Sequence, residues 1–270
     1  MAITALHAAA SGMRALDEKL NVVANNLANI NTQGFKRSRV NFEDLLYQVR
    51  REPGVLNAND EPIPHGVLVG TGVKVSGTQL NFEEGSVDPT GRPLDWRIDG
   101  EGFFQVRTIQ DGSQQTAYAR AGNFAQNAVG NIVLGNGDGA ELEPPIAIPT
   151  DAIEVVVSRN GEVRVRQQGT NTLSTVGQIE IARFVNPEGL KQIGRNLYLE
   201  TDASGTPVTG TPQTDGLGAI NQGELELSNV DPVRELIDLI TTQRAFELNS
   251  QAIQSADQTL QVVSNLRPLQ

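Results

Sequence analysis

The sequence predicts an α+β protein whose long N- and C-terminal helices pair as a coiled coil, with a mostly β domain inserted between them. Apolar residues repeat every seven positions at both ends of the chain, and they alternate with polar residues in the middle. An irregular stretch with many helix and strand breakers, residues 51–70, precedes the β region. We therefore expect N- and C-terminal helical segments at 1–36 and 228–270, an extended connecting segment at 37–80 and a β-rich domain at 81–227.

The first helix is predicted over residues 4–30. Its two apolar series, three residues apart, are Leu6, Met13, Leu20 and Leu27, and Ala9, Leu16, Val23 and Ile30. Its last turns are crowded by four asparagines: Asn25, Asn26, Asn29 and Asn31. Asparagine is a weak helix former because its amide competes with the backbone for hydrogen bonds, so this cluster needs a cause beyond filling a surface. Gly34 lies just beyond the helix and suits a left-handed helix stop.

The second helix is predicted to begin after Asp231, with Pro232 at its first position. Its apolar series is Leu239, Phe246, Ile253 and Leu260, and the series three residues on is Thr242, Asn249, Ala256 and Val263. Since both chain ends carry heptads, each helix is the expected partner of the other.

The middle of the chain shows a period of two, which is typical of strands. Residues 153–167, "IEVVVSRNGEVRVRQ", contain two alternating runs around a turn at Asn160 and Gly161, which predicts a β-hairpin. Shorter strands are predicted at Trp96–Ile98, Phe103–Arg107, Asn131–Leu134, Leu197–Glu200 and from Gly177 through "GQIEIARFV".

Composition excludes several classes of protein. At 270 residues the chain is long enough for a real core, but only 4% of its residues are aromatic. Ten of the eleven net negative charges lie in residues 37–230, which argues against binding nucleic acid or an anionic membrane surface. Cysteine is absent, and the first twenty residues lack a basic region followed by an apolar core. We therefore expect no membrane insertion, and export, if it occurs, without a cleaved signal peptide.

No catalytic or cofactor constellation is recognisable. The two histidines, His7 and His65, have no cysteine to complete a zinc site. The loop "GNGDGAE", residues 135–141, lacks the first carboxylate and the bidentate glutamate of a calcium loop, and the glycines match no phosphate-binding motif. Asp95 and Asp99 are better explained as chance neighbours than as paired catalytic acids. The sequence thus predicts a protein that is not an enzyme and has no cofactor.

The terminal helices carry small or uncharged residues beside their apolar series, including Ala8, Ala10, Ser11 and Gly12. A solvent-facing helix normally carries more charge, so these neutral faces indicate further neighbours that exclude water. Asparagine amides can donate and accept hydrogen bonds there without the desolvation cost of an ion, and in an assembly they would fix register.

The terminal motifs resemble those of bacterial flagellar rod and hook proteins. "ANNLANINTQGFKR", residues 24–37, is similar to their N-terminal signature, and "LSNVDPVRELIDLITTQRAFELNSQAIQSADQTLQ", residues 227–261, to their C-terminal helix. Stretches such as "GTGVKVSGTQLNFEEGSVDPTGRPLDWRIDGEGFFQV" resemble the distal rod members more closely than the hook or proximal rod members. The chain departs from the family pattern at Ala121, a position that is usually acidic, and over residues 130–149.

The resemblance implies a structural subunit of the distal rod. Such a subunit crosses the membrane unfolded through the flagellar type III export apparatus and polymerises beneath a rod cap into a helical homopolymer. The tube transmits torque from the motor to the hook within the P and L rings, between the periplasm and the outer membrane, with proximal rod and hook proteins as axial neighbours. The resemblance and the heptads together predict an assembly interface made of the following residues: Leu6, Met13, Leu16, Leu20, Val23, Asn25, Asn26, Leu27, Asn29, Ile30, Asn31, Leu239, Phe246, Asn249, Ile253, Leu260 and Val263.

Two further segments are assigned by resemblance. Residues 47–64, which include Tyr47, Pro53, Gly54 and Pro64, are similar to a rod-specific segment that the hook lacks and that is associated with a straight, rigid tube. Phe42 and Leu46 resemble the family's export motif, although as a spaced apolar pair they are explained equally well by packing in a short helix.

Two alternatives remain open from the sequence. The chain could be a hook or proximal rod subunit, in which case deleting residues 47–64 should not change filament curvature. It could also be a surface adhesin with a β domain on a coiled-coil stalk. An adhesin should form a closed small oligomer, whereas a rod subunit should grow without a fixed end.

Overall fold

The structure, a computed structural model, describes residues 2–56, 63–110 and 112–265. It confirms an α+β protein with an N-terminal helix, a mostly β middle and a C-terminal helix. The chain divides into two compact units. Unit 1 comprises Met1–Ala28, Ser38–Gln79 and Asp231–Gln270, and unit 2 comprises Asn29–Arg37 and Leu80–Val230.

Unit 1 contains both long helices, α1 (Ala2–Ala28) and α2 (Pro232–Asn265). The predicted start of α2 is confirmed, because Asp231 Oδ1 accepts hydrogen bonds from the backbone N–H groups of Val233 and Arg234 at 2.9 and 3.3 Å. Helix α1 ends two residues before its predicted end.

The connecting segment of unit 1 is a β ribbon. Its strands are β1 (Ser38–Asp44), β2 (Tyr47–Arg51), β3 (Val67–Gly70) and β4 (Val73–Leu80). Strand β1 pairs with β4, and β2 pairs antiparallel with β3 so that Tyr47 lies opposite Gly70. Between the two pairs, Leu45 N donates to Gly72 O at 2.9 Å. The sequence did not indicate these strands, because every residue of β2 is exposed and no alternation of burial marks it.

Unit 2 contains sixteen strands and one short 3₁₀ helix, η1 (Pro187–Gly189), among the described residues. The strands are β5 (Val87–Pro89), β6 (Trp96–Asp99), β7 (Phe103–Gln110), β8 (Ser113–Ala119), β9 (Phe124–Gln126), β10 (Ile132–Leu134), β11 (Glu141–Leu142), β12 (Ala152–Val157), β13 (Glu162–Gln167), β14 (Ser174–Gln178), β15 (Ile181–Arg183), β16 (Lys191–Gly194), β17 (Leu197–Leu199), β18 (Val208–Gly210), β19 (Ala219–Gln222) and β20 (Glu224–Glu226).

The largest sheet of unit 2 runs in the order β16-β17-β8-β7-β11-β10-β9, and β15 joins it by pairing with β7 and β18. A three-stranded sheet, β12-β13-β14, and two pairs, β19-β6 and β20-β5, complete the unit. Strand β19 pairs with β6 and the next strand, β20, pairs with β5, so the last strands of the unit pair with its first strands.

The predicted hairpin at residues 153–167 is confirmed. Val157 pairs with Val163 across the turn, and Gly161 has the left-handed φ of +82° that this turn requires. The single strand predicted from Gly177 is instead two strands, β14 and β15. The chain leaves the three-stranded sheet after Gln178 and enters the large sheet at Ile181, which pairs with Phe104.

Two apolar clusters fill unit 2. In the first, the Trp96 and Phe124 rings lie 4.8 Å apart and Phe104 meets Phe124 edge-on at 5.1 Å. The second contains Tyr118 and Tyr198, and burial raises the pKa of each phenol to about 12. Alternating inward residues of the strands thus build a core of the usual close-packed kind.

Candidate assembly interface

Helices α1 and α2 pack side by side in opposite directions within unit 1. Asn26 of α1 contacts Glu235 near the start of α2, whereas Gly12 of α1 lies against Asn249, about four turns further along α2. Val23, predicted for the seam of α1, is buried. The other apolar residues predicted for this seam are half-buried: Leu6, Met13, Leu16, Leu20, Leu27 and, beyond the helix, Ile30. Those of α2 are also half-buried: Leu239, Phe246, Asn249, Ile253 and Leu260. The side chain of Val263 lies outside the described residues.

Asn26 is a buried clamp between three elements of unit 1. Its Oδ1 accepts a hydrogen bond from Ser38 N at 3.0 Å, and its Nδ2 donates to Ser38 O at 2.8 Å and to Glu235 Oε2 at 3.2 Å. Asn26 and Glu235 are almost completely buried. A side-chain amide is suited to this position because it pairs with both backbone groups of Ser38 at once. This asparagine therefore fixes contacts within one chain.

The other three asparagines lie in different settings. Asn25, in α1, and Asn31 are exposed, and Asn29 is half-buried and accepts a hydrogen bond from Thr32 Oγ1 at 3.1 Å. Asn29 and Asn31 belong to unit 2. Their role in fixing register between copies stays a prediction.

The small residues of α1 have partners within the chain. Ser11 Oγ donates to Ala8 O at 2.8 Å and accepts from Val73 N at 3.2 Å. At Gly72, which has a φ of +130°, an added Cβ would overlap Ser11 Oγ, so a bulkier side chain would push the ribbon off the helix. The small side chains at Ser11 and Gly12 thus admit the ribbon and Asn249, and they do not by themselves require a neighbouring molecule.

Gly34 does not stop α1, because the helix ends six residues before it. Its left-handed backbone, with a φ of +66°, instead brings it against Ala121 in unit 2, where an added Cβ would lie 2.5 Å from Ala121 N. Gly34 N also donates to Glu226 O at 2.8 Å. The glycine is required for close packing inside unit 2.

Lys36, Arg120 and Glu226 form a buried ion cluster that sequence reasoning missed. Lys36 Nζ lies 2.6 Å from Glu226 Oε1, and Arg120 Nε lies 3.0 Å from Glu226 Oε2. The three side chains are 1%, 4% and 2% exposed, respectively. Burial lowers the pKa of Lys36, opposed by its attraction to Glu226. One feature of the sequence points to Lys36. It follows the asparagine-rich end of α1, in the part of the motif at residues 24–37 that lies beyond the helix.

The predicted rod-specific and export residues lie on the ribbon of unit 1. Tyr47, Pro53, Gly54 and Pro64 are exposed, and Gly54 N donates to Ile63 O at 2.9 Å, while residues 57–62 of this segment lie outside the described residues. Phe42 is in strand β1 and Leu46 follows it, so the alternative of a short helix for this pair is wrong. Both side chains are exposed.

Within the described ranges, no group of three or more histidine or acidic side chains is arranged to hold a metal ion. No helix in the described part of the chain is long and apolar enough to cross a membrane.

Comparisons with known proteins agree with the terminal motifs. Residues 6–36 match the family model described as flagella basal body rod protein, residues 97–165 match the D1 domain of flagellar hook protein FlgE/F/G, and residues 221–266 match the C-terminal region of flagellar basal body rod FlgEFG protein.

Curated relatives named flagellar basal-body rod protein FlgG match nearly the whole chain. Those of Agrobacterium fabrum and Caulobacter vibrioides are each 46% identical, over 96% and 97% of this chain and 98% and 99% of their own length. The relative from Borreliella burgdorferi is 40% identical over 97% of this chain and 98% of its own length. The flagellar hook-basal body complex protein FlhP of Bacillus subtilis is 28% identical over 96% of this chain and 97% of its own length.

Proposed function

The chain belongs to the FlgG family of flagellar basal-body rod proteins, and from this premise we propose how one subunit is built into the rod. The identity of 46% over nearly the full length to two FlgG rod proteins is the observation that carries this function. The chain is a structural subunit of the distal rod, not an enzyme, and its role as part of a drive shaft is mechanical. Rod proteins assemble with copies of themselves and with axial neighbours in the basal body.

The terminal helices are the parts through which we propose that copies assemble into a tube. Their antiparallel contact in unit 1 leaves the predicted seam half-buried, a degree of burial that suits a helix pair completed by neighbours. In this proposal residues 1–36 and 228–270 are assembly segments that pair as a coiled coil, residues 37–80 connect them to the rest, and residues 81–227 form the outer domain. Contacts that repeat head to tail without closing produce a helical filament.

The β2–β3 hairpin is proposed to stiffen the tube by contacting a neighbouring subunit. Its side chains Tyr47, Val49, Val67 and Leu68 are all exposed apolar groups on a two-stranded ribbon. An isolated two-stranded ribbon is marginally stable in water, and burying these side chains against a neighbour would stabilise it.

The remaining partners follow from the same family role. We propose that the subunit travels through the flagellar type III export apparatus, with Phe42 and Leu46 as the export motif, and assembles beneath a rod cap. The rod then continues proximal rod proteins on one side and hook proteins on the other, and it turns within the P and L rings between the periplasm and the outer membrane.

The function is tested by deleting the gene and returning it on a plasmid. Deletion should abolish swimming and leave basal bodies that end at the proximal rod in electron micrographs, and the plasmid should restore both. Complete rods in the deletion strain would overturn the proposal. Gold-labelled antibody against the chain should mark the rod of purified basal bodies.

The helical seam is tested by Leu20→Asp and Leu27→Asp, compared with Gln251→Asp at an exposed position of α2. A carboxylate placed in a packed seam costs several kcal/mol, so both seam variants should stop polymerisation. The control should polymerise like the original chain. Normal polymerisation of Leu20→Asp would refute the seam.

The hook alternative is less well supported, because the relatives that are 40–46% identical are FlgG rod proteins. It predicts that removing residues 47–64 leaves filament curvature unchanged. In a rod subunit the same deletion should convert straight tubes to curved ones, which electron microscopy of negatively stained filaments distinguishes.

A further inference from the structure

The first turns of α2 bury two polar side chains and leave several large apolar side chains exposed. Glu235 and Thr242 are buried, with 0% and 2% of their surface exposed. Val233 and Ile237, in contrast, are 63% and 56% exposed, and Leu236 and Ile240 are exposed as well. A helix in a lone globular protein normally buries its apolar stripe. Polar burial combined with apolar exposure on one element is the informative combination.

One hydrogen bond from α1 holds α2 in this orientation about its axis, and hydrogen bonds within α2 satisfy other polar groups on its buried side. Glu235 Oε2 accepts from Asn26 of α1, and Glu235 N donates to Asp231 O at 3.0 Å. Thr242 Oγ1 donates to Asp238 O at 2.5 Å. Because the buried polar groups have partners, turning the helix to bury its apolar stripe instead would leave a carboxylate without its amide partner.

The exposed apolar residues form one stripe. With about 3.6 residues per turn, Val233, Ile237 and Ile240 fall within about 60° of one another around the helix. Glu235 and Thr242 fall roughly on the opposite side. Leu248, two turns after Ile240, continues the stripe and is 65% exposed. We call Val233, Leu236, Ile237, Ile240 and Leu248 the outer stripe of α2.

We infer that the outer stripe of α2 packs against the outward face of α1 in a second copy of this chain. This inference rests on the proposed function, since a rod subunit is surrounded by its own copies. The outward face of α1 carries Asn21, Ala24 and Ala28, all exposed, at spacings of three and four residues. Small side chains at such spacing leave a groove into which a ridge of bulky apolar side chains fits.

Charge favours the same pairing. Arg244 lies on the stripe side of α2 between Ile240 and Leu248, and it is exposed. Asp17 and Glu18 lie beside the small residues on the outward side of α1, and they are exposed. Arg14 on the same side of α1 and Glu247 beside the stripe are exposed as well, so opposite charges face each other when the two helices run in opposite directions, which favours association of these two faces.

The contact has consequences for assembly. It joins α2 of one copy to α1 of the next, and when this contact repeats head to tail the copies at the two ends each keep one unoccupied face, so that further copies can add. It also separates the two surfaces of α2: the series Leu239, Phe246 and Ile253 serves the pairing with α1 of its own chain, and the outer stripe serves the neighbour.

A photoreactive amino acid placed at position 237 tests the contact directly. Rods assembled from a mixture of ¹⁵N-labelled and unlabelled full-length chains are irradiated, and the cross-linked peptides are sequenced by mass spectrometry. Mixed-isotope peptides that join position 237 to residues 17–28 support the inference. Peptides that join it to another segment, or that never mix isotopes, overturn it. The matched probe at Leu239, which faces the other way, should give cross-links within one chain.

Substitution supplies the second test. The variant Ile237→Gln with Ile240→Gln should keep the circular dichroism and Tm of the monomer, since both side chains are exposed there. It should raise the concentration needed for polymerisation at least about tenfold, because two apolar side chains are no longer buried at the contact. The control Gln251→Ala with Gln254→Ala changes two exposed polar residues of the same helix and should polymerise normally. Normal polymerisation of the first variant overturns the inference and leaves the proposed function intact, whereas absence of rods from the unmodified chain overturns both.

Discussion

The two units of this chain bury their apolar side chains to very different depths. In unit 2, Trp96, Ile98 and Phe104 are 0–1% exposed. Among the described residues of unit 1, the apolar side chains that reach full burial are Ala15 and Val23, and the larger ones remain half-buried or exposed. The β unit therefore stabilises itself, while the helical unit retains apolar surface that only further contacts can remove from water.

The buried ion cluster of unit 2 differs in the same way from an ion pair of unit 1. The cluster of Lys36, Arg120 and Glu226 in unit 2 is buried, whereas Lys74 and Glu43 on the ribbon of unit 1 meet at 3.0 Å with more than half of each side chain exposed. Removing one partner of a buried pair leaves an uncompensated charge, but removing one partner of an exposed pair returns the other to water. The five predictions that follow exploit these contrasts.

The largest effect is expected from Glu226→Gln. The change leaves Lys36 and Arg120 buried beside a neutral group and should lower the free energy of unfolding of unit 2 by about 3–5 kcal/mol at neutral pH. The control Glu224→Gln, two residues earlier, removes a carboxylate that lies 3.1 Å from Arg97 but is 34% exposed, and it should cost about 1 kcal/mol or less. Urea unfolding followed by Trp96 fluorescence measures both, and equal effects would contradict the buried cluster.

The pH dependence gives the same cluster a second signature. Burial by itself would raise the pKa of Glu226, but Arg120 and Lys36, with hydrogen bonds from Lys36 and Gly85, hold it below its ordinary value of 4.5. Its stabilising contribution is therefore present above pH 4.5 and is lost as pH falls through the lower pKa of the folded state. The difference in Tm between the original chain and Glu226→Gln should therefore become smaller as the pH is lowered below 4.5.

The next effect is a difference in amide hydrogen exchange between the units of the dilute monomer. Amides of β7 and β8 in unit 2 should exchange on the order of a hundredfold more slowly than those of α1 and α2, because local opening costs least where few apolar contacts are lost. Limited proteolysis should likewise trim both ends before it cuts the β unit. In assembled rods the helices should become protected. If the amides of α1 and α2 exchanged as slowly as those of β7 in the monomer, the expected difference in stability between the two units would be wrong.

A smaller loss of stability is expected from Asn26→Ala in unit 1. The change removes the hydrogen bonds to both backbone groups of Ser38 and leaves Glu235 buried without its amide partner, at a cost of about 1–3 kcal/mol. The control Asn21→Ala changes an exposed amide five residues earlier on the same helix. Helical circular dichroism during thermal unfolding reports both variants, and identical curves would show that the clamp contributes nothing.

The smallest effect is expected from Glu43→Gln on the ribbon. A hydrogen bond from Lys74, assisted by Ser76, lowers the pKa of Glu43, but more than half of the Glu43 side chain is exposed. We expect no measurable change in Tm. A shift comparable to that of Asn26→Ala would mean that the ribbon depends on its surface charges.

The sequence anticipated the elements with strong periodicity. Both long helices and the hairpin around Gly161 follow from spacing and turn chemistry, and Asp231 caps α2 as its position predicted. The ribbon was missed, because β2 and β3 expose nearly all of their side chains and so lack the alternation that burial imposes. The break between β14 and β15 was missed for a related reason, since a run of alternating residues does not reveal that it changes sheets.

The sequence likewise identified some residues of the candidate site but not their partners. The asparagines and Gly34 stood out in the sequence because such residues are costly in a helix, but their partners lie far away in the chain. Asn26 meets Glu235 across more than two hundred positions, and Lys36 meets Glu226 across a similar distance. Periodicity also identified Leu239 and Phe246, yet it gave no reason to separate them from Ile237 and Ile240, since all four are large and apolar.

The sequence by itself determined that both ends of this chain are helical, that the middle is β and that the family is one of flagellar rod proteins, because these depend on local periods and on signatures that can be read along the chain. Only the tertiary structure decided which face of α2 turns toward α1, which asparagine is buried and which charged side chains are buried away from solvent. Each of those outcomes depends on contacts between residues remote in sequence, and the free energy of burying a group is set by what surrounds it in space.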